Sequence, residues 1–526
     1  MNDERKVLQN LMKKGEKEAM SEKKEDHNPN DSSSKKNMTR RDFLKKSATI
    51  GAGAGIAASF LPIISSCQKK EEKPAAAQQA AQEVSGLPAG LSQDEADILS
   101  QLPDQQIGVD YPEGETIHVG FLAALSGPSA GWGLPGLTGN NIWIDAVNKT
   151  GGLLVGGKRY PLELHKFDDE GIASTALQGA RQLVLDHDVK FINAIGGDPA
   201  NACAPFLTQN KVIYASLVPT DMHPDRPYMV AGGDITPQCN MFNPLIAKLV
   251  LPSEEELGRP LRYAIATQAD IMSYQVSAWE VGAAVALGFE IVYEEFFAVD
   301  TTDFAPVISA MMATKPDCIS LCEAWPEYQT LLWEQLYLQD FQGVVAQNYA
   351  DWETNLTKVP PEFPAARKAI DSFPLMDDPW WGSPSWQFAF TREWNKRYGP
   401  GAPEDVKRKM TGIDWDHVVW LIPWCIGAQI AGKETPGEWP SNDAILKALR
   451  AQDSFPTILG PGRMRGEDMF GIQNMIEQPV PMNMFSLEAG DKRIVAHLNF
   501  VPWFEAIKPV VIKEVEKRGQ MHYQRK

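Results

Sequence analysis

Cysteine and histidine are scarce in this chain, with six and eight in 526 residues. So few cysteines exclude a disulfide-framed fold. No His-Glu-x-x-His, Gly-x-Ser-x-Gly or paired-cysteine metal spacing occurs, which removes the common signatures of metal and serine hydrolases. The expectation is a protein that is not an enzyme, with no catalytic residues, no cofactor and no metal. Positive charge is also short, at a net −18. Nucleic acid is therefore not an expected partner, because phosphate binding needs a basic stripe. No Lys or Arg lies between Ser126 and Asn148, so the glycine-rich stretch there, Gly-Pro-Ser-Ala-Gly-Trp-Gly, lacks the lysine and the spacing of a phosphate loop. Long apolar runs are missing too. The best candidate, Ala48 to Ile64, is rich in Gly and Ala and falls short of the roughly 20 strongly apolar residues of a stable span.

What remains is an ordinary globular composition, 43% hydrophobic and 22% charged, long enough for several domains. The basic residues concentrate at the start. Residues 1–66 hold 13 Lys and Arg against 9 Asp and Glu, leaving 37 against 59 in the remainder. Met1 to Met38 is polar and reads as disordered. Arg40 and Arg41 before Phe-Leu-Lys resemble a twin-arginine export signal, and Ile64-Ser65-Ser66-Cys67 resembles a bacterial lipobox with Cys67 as the acylated residue. Gln68 to Gln82 reads as a tether. Five cysteines are then left: Cys203, Cys239, Cys318, Cys322 and Cys425. Cys318 and Cys322 fall in one predicted strand, four steps of about 3.3 Å apart and beyond disulfide reach. Buried thiols are expected.

From Thr116 apolar strands alternate with helical periodicities. Strands are predicted at 116–125, 160–167, 189–195 and 211–216, with helices at 134–148, 173–186 and from Asn201. The first helix is stopped by Gly151-Gly152. A second set restarts after Gly232-Gly233, with strands at 262–267, 289–297, 317–322 and 343–349 between helices at 238–251, 273–287, 303–314 and 327–340. Helices at 386–398 and 415–431 and hairpin-like segments beyond 455 follow. Trp415, Trp420, Trp424 and His417 read as helix packing. The fold class is α/β, two doubly wound parallel-sheet lobes joined by a multi-crossover hinge with the ligand in the cleft between them. The expected division is 1–66 signal, 67–114 lipidated Cys, tether and lead-in, 115–235 plus about 371–455 lobe 1, 236–370 plus about 456–505 lobe 2, and 506–526 C-terminal tail.

Four blocks carry a resemblance: GFLAALSGPSAGWG, INAIGGDPAN, TDMHPDRPYMV and DTTDFAPVISAMMATKPDCISL. Through them residues 115 to about 500 resemble the type I periplasmic binding proteins, the branched-chain amino-acid-binding family of ABC importers. The resemblance implies a monomeric binding protein that closes on a small molecule, hands it to permease subunits, and sits on the membrane through a lipid anchor. A ligand-sensing module of amide-sensor or receptor type is the alternative; the lack of a second apolar span or signalling domain after residue 500 favours transport.

The resemblance also places the ligand contacts. Trp132 falls at the aromatic of the first loop. Asp198 and Asn201 stand where amino-acid binders carry serines for a carboxylate, a departure because Asp198 repels one. Val218 and Thr220 follow the fourth strand, and Tyr274, Glu323, Trp325 and Asn348 follow strands of the second lobe. Trp132, Trp325 and Trp352 in ligand loops would favour an apolar or aromatic ligand portion.

Overall fold

The computed structural model describes residues 87–217, 222–232, 238–377, 384–498 and 500–520. Arg40, Arg41, Cys67, Val218 and Thr220 lie outside them. The strands are β1 (Ile117–Ala123), β2 (Leu153–Val155), β3 (Lys158–Tyr160), β4 (Leu162–Asp168), β5 (Phe191–Ala194), β6 (Ile213–Ser216), β7 (Met229–Gly232), β8 (Arg262–Gln268), β9 (Glu290–Phe297), β10 (Cys318–Ser320), β11 (Val344–Ala346), β12 (Ile370–Asp371), β13 (Phe455–Thr457), β14 (Gly460–Arg465), β15 (Met475–Glu477), β16 (Val480–Ser486) and β17 (Asp491–Leu498).

They build two large sheets, ordered β13-β14-β15-β7-β6-β5-β1-β4 and β17-β16-β12-β11-β10-β8-β9, with β2-β3 a separate hairpin. Parallel pairing holds from β4 through β15 in the first sheet and from β9 through β12 in the second. Central strands covered on both faces by helices need near-continuous apolar runs, and β5, β6, β7, β10 and β11 are buried at every position. This is the expected doubly wound pair of lobes. Antiparallel strands are added at one edge of each sheet, β14 and β13 in the first and β16 and β17 in the second. The chain changes sheets three times, after β7, after β12 and after β15. The last change is made by two residues, Gln478 and Pro479.

The helix Ala130–Lys149 follows β1 and carries Gly133, Gly136 and Gly139 on successive turns. A Cβ on Gly133 would stand 1.9 Å from the Ala124 carbonyl oxygen, on Gly136 2.0 Å from His417 Cδ2, and on Gly139 2.1 Å from the Asp414 carbonyl oxygen. Gly133, in the glycine-rich stretch ahead of the helix expected at 134–148, thus packs inside the helix, and Gly136 and Gly139 lie in it as the spacing predicts. Gly133 lets the helix approach the backbone after β1, and Gly136 and Gly139 let it press against the His417 ring and the backbone of the segment Ile413–Asp416. The helix ends where Gly151-Gly152 predicts, with φ of +85° and +115° at the two glycines and the Gly152 N–H donating to the Val147 carbonyl.

The helix Val418–Gly432 is apolar all round, which fits a helix buried on every side. Trp415, Trp420 and Trp424 are core residues, with Trp424 stacked on Phe191 of β5 at 5.0 Å. The helix Phe500–Lys517 buries Ile507, Val511 and Val515, with Val511 packed over Gly282 of the helix Ile271–Ala286.

Two of the boundaries that differ from the spacing lie beside the site. Helix Asp198–Asn210 starts three residues before Asn201, because Gly197 (φ +72°) makes the turn and Pro199 fits the first helical turn. β10 ends at Ser320, so Cys322 is not in the strand and has φ +46°. All five described cysteines are buried, and none forms a disulfide.

Candidate functional site

The carboxyl ends of the two sheets meet. On the first lobe, Asp168 at the end of β4 accepts from the Leu125 N–H (2.8 Å), the Ser126 hydroxyl (2.7 Å) and the Glu170 N–H (3.0 Å). Its pKa is held down by these bonds against the opposing effect of burial. The loop after β1 is thereby fixed to the loop after β4. Asp169 beside it is buried, and burial raises its pKa to about 6. After β5, Gly196 (φ +118°) and Gly197 (φ +72°) turn the chain into Asp198. The Asp198 carboxylate accepts the Ile271 N–H at the start of the helix that follows β8, a bond between lobes; burial raises its pKa. Asn201 Oδ1 accepts from Arg226 Nη1 at 3.0 Å.

On the second lobe the three adjacent strands β10, β11 and β12 are each followed by a non-glycine residue in the left-handed region: Cys322 (φ +46°), Tyr349 (φ +58°) and Phe373 (φ +61°). Such backbone costs on the order of 1–2 kcal/mol per residue, and its clustering at one edge marks a place where side-chain direction is being enforced. The residues just before these turns, Asn348 and Ser372, and the one just after Cys322, Glu323, belong to a buried polar network. Asn348 Nδ2 donates to Glu323 Oε1 at 2.6 Å and also to Asn240 Oδ1, while its own Oδ1 accepts from the Ser372 hydroxyl at 2.9 Å. Asn240 Nδ2 donates to Glu280 Oε2 at 3.0 Å, and the Tyr263 hydroxyl donates to Glu280 Oε1 at 2.5 Å. Burial raises the pKa of Glu323 to about 8, with Glu280 and Asp270 adding like charge, so the carboxyl is largely protonated at neutral pH.

Between these two sides lies Trp132. It is 2% exposed, and its ring centroid is 5.9 Å from that of Tyr349 across the lobes. Its carbonyl pairs with His417 Nε2 at 2.9 Å. His417 is the packed histidine expected, pushed down to about 4 by burial and so neutral. The Tyr349 hydroxyl donates to Asp416 Oδ2 at 2.9 Å, a second bond between lobes, and the Tyr349 ring stacks on Phe373 at 3.7 Å. Trp132 Nε1 and the Ser129 hydroxyl are buried with no partner among the described residues. Six further tryptophan Nε1 groups, Trp143, Trp279, Trp352, Trp420, Trp439 and Trp503, are likewise buried without a partner among the described residues.

Of the residues singled out from the sequence, Trp132, Asp198, Glu323, Trp325 and Asn348 come to the facing ends of the sheets. Trp325 is half-buried and stacks on Tyr328 at 5.3 Å, next to Pro326, which packs against Gly131. Asn201 stands behind Asp198 on the same helix. Tyr274 is 38% exposed, with its ring against Phe296 at 4.6 Å. Trp352 is a core residue between Trp333 and Phe485, not a ligand-loop aromatic. Spacing alone missed Tyr349, Phe373 and Asp416, since no glycine marks their turns and their partners lie on the other lobe.

A family model described as periplasmic binding protein matches residues 116–480. Among solved structures, a leucine binding protein from Thermotoga maritima is 15% identical, with a TM-score of 0.55 over 73% of this chain and 99% of that one. A solute binding protein of an ABC transporter from Rhodopseudomonas palustris HaA2, in complex with p-hydroxybenzoic acid, is 17% identical with a TM-score of 0.55, covering 74% and 99%. Another from R. palustris BisB5, in complex with 3,4-dihydroxybenzoic acid, is 19% identical with a TM-score of 0.54, covering 73% and 98%. At these identities the likeness is one of fold.

Proposed function

Because this chain belongs to the periplasmic binding protein family, we propose that it is the solute-binding component of an ABC importer whose lobes close on a small amide with an apolar or aromatic portion. The observation that carries the ligand class is the division of polar groups across the cleft. Buried donors without partners, Trp132 Nε1 and the Ser129 hydroxyl, stand on one lobe. Carboxyl groups, Asp270 and Glu323, gather on the other, with burial raising the pKa of each, and Asp198 faces them from the first lobe. An amide supplies the acceptor and the donor that this division asks for, and Trp132 and Tyr349, the latter backed by Phe373, offer aromatic surface to an apolar portion. The hydroxybenzoates bound to the R. palustris relatives carry a carboxylate instead, which Asp198 would repel.

The remaining parts of the proposal rest on the sequence. Arg40 and Arg41 direct export and Cys67 carries a lipid, so that the monomeric protein works at the outer face of the membrane beside its permease. Closure is a hinge motion of the two lobes.

A thermal-shift screen with aliphatic amides, aromatic amides, amino acids, aromatic amines and hydroxybenzoates tests the reading. An amide at 100 times its Kd is expected to add about 2.7 kcal/mol of stability. A shift with hydroxybenzoates and none with amides would overturn the ligand class, and no shift with any compound would overturn the binding role itself.

A further inference from the structure

Three of the eight histidines converge at one place far from the cleft. His118 stands near the amino-terminal end of β1, opposite Glu163 of β4 in the parallel register, and His165 lies two residues further along β4, opposite Gly120. Side chains two apart on a strand share a face, so His118, Glu163 and His165 project together. The helix Ala173–His187 covers that face, and its last residue, His187, stacks on the His165 ring with centroids 4.1 Å apart and planes 18° apart. His118 is five strand steps from the cleft end of β1, about 16 Å away.

The donor atoms lie within 4.8 Å of one another, close enough to share one ion, and the two imidazoles are hydrogen-bonded without it. His118 Nδ1 and His165 Nε2 are 2.9 Å apart. Glu163 Oε2 is 3.5 Å from His118 Nδ1, and Glu163 Oε1 is 3.8 Å from His165 Nε2. Tetrahedral ligands at zinc bond lengths of about 2.0–2.1 Å are separated by about 3.4 Å. Shifts of about 0.5 Å in exposed or half-buried side chains would equalise the three distances around one ion. Two imidazoles and a carboxylate are a borderline-soft set suited to zinc-class ions. The carboxyl end of the covering helix adds partial negative charge that favours a cation there.

We propose that His118, Glu163 and His165 bind one zinc-class divalent ion, with water in the fourth position and His187 holding the His165 ring in place. The ion would tie the edge strand β4 to β1 at the outer end of the first lobe. Sequence spacing could not reveal the set, since His118 and Glu163 are separated by a helix and a hairpin and meet only through the β1–β4 pairing.

The test uses the purified full chain after chelator treatment, titrated with Co2+ as a spectroscopic stand-in and then with Zn2+. One equivalent of Co2+ with a tetrahedral visible band, displaced by Zn2+, is expected in the wild type. His118→Ala/His165→Ala should abolish the band, and Glu163→Gln should weaken binding about tenfold or more. No uptake at about 100 µM metal, a concentration that would populate even a weak site, would overturn the proposal. So would a band of full intensity in the double variant. If the double variant loses its fold, Glu163→Gln decides, because unchanged affinity in that variant also overturns the site.

Discussion

The two lobes make the same turns at their strand ends with different residues. On the first lobe the left-handed positions after β1, β4 and β5 include Gly127, Gly171, Gly196 and Gly197, with Glu170 the one side chain among them. On the second lobe the positions after β10, β11 and β12 are Cys322, Tyr349 and Phe373. A glycine turn costs little strain but places no side chain. A strained tyrosine or phenylalanine puts a ring where the turn is. The first lobe therefore presents backbone, a single tryptophan and short polar groups, while the second presents aromatic faces and buried carboxyl groups held by a network.

The comparison predicts opposite responses to changes in side-chain size. The largest effect belongs to the first lobe. Gly139→Ala would drive a Cβ to 2.1 Å from the Asp414 carbonyl oxygen, and a loss of about 3 kcal/mol is expected in urea unfolding; a loss under about 1 kcal/mol would mean the helix can move aside. Trp132→Ala is expected to weaken a confirmed ligand by at least about tenfold, roughly 1.4 kcal/mol, by calorimetry. Unchanged affinity would take Trp132 out of the site. Tyr349→Phe removes the hydroxyl that donates to Asp416 across the lobes. A net cost of about 1 kcal/mol to closure is expected, visible by small-angle scattering as a larger open fraction without ligand.

Glu323 makes the comparison pH-dependent. Its folded pKa of about 8 lies above the ordinary 4.5, with burial the main cause. The folded state therefore binds the proton more tightly than the unfolded state, and the contribution is full below pH 4.5 and is lost as pH rises through 8. The urea midpoint should fall between pH 5 and pH 8.5, and the fall should be shallower in Glu323→Gln. Equal slopes in the two proteins would mean that Glu323 is already ionised in the fold. The smallest effect is expected at Cys322→Gly, where release of left-handed strain offsets the lost buried side chain, leaving a change under about 1 kcal/mol. Cys318→Gly in β10 has no such strain to release and should cost more.

How far the chain could be read follows from the same difference. Glycines are visible punctuation, so the end of the helix Ala130–Lys149 at Gly151-Gly152 was legible, as was the turn before Asp198. The alternation of apolar strands and helices gave the two sheets, and helical spacing gave Trp415, Trp420 and Trp424 as core. β7 and β12, of four and two residues, are too short to show a period. Tyr349 and Phe373 carry no local sign of their turns, because their conformation is enforced by tertiary contacts. Glu323 and Asn348 were legible as strand-end residues, but the bonds tying them to Asn240 and Glu280 join elements far apart in the chain. Gly133 falls in the glycine-rich stretch before the helix expected at 134–148 but lies inside the helix Ala130–Lys149, because close helix packing and loop turning call for the same residue.

The crossing at Gln478 and Pro479 has a mechanical meaning. Two residues between β15 and β16 can span only about 10 Å when fully extended, so the lobes are stitched together there and have no slack to draw apart. If the lobes close on a solute as proposed, opening is rotation about that stitch, widest at the rim furthest from it. A solute held at the strand ends would then be released by a change of angle, and a membrane partner able to pry that angle could discharge the cargo without touching it.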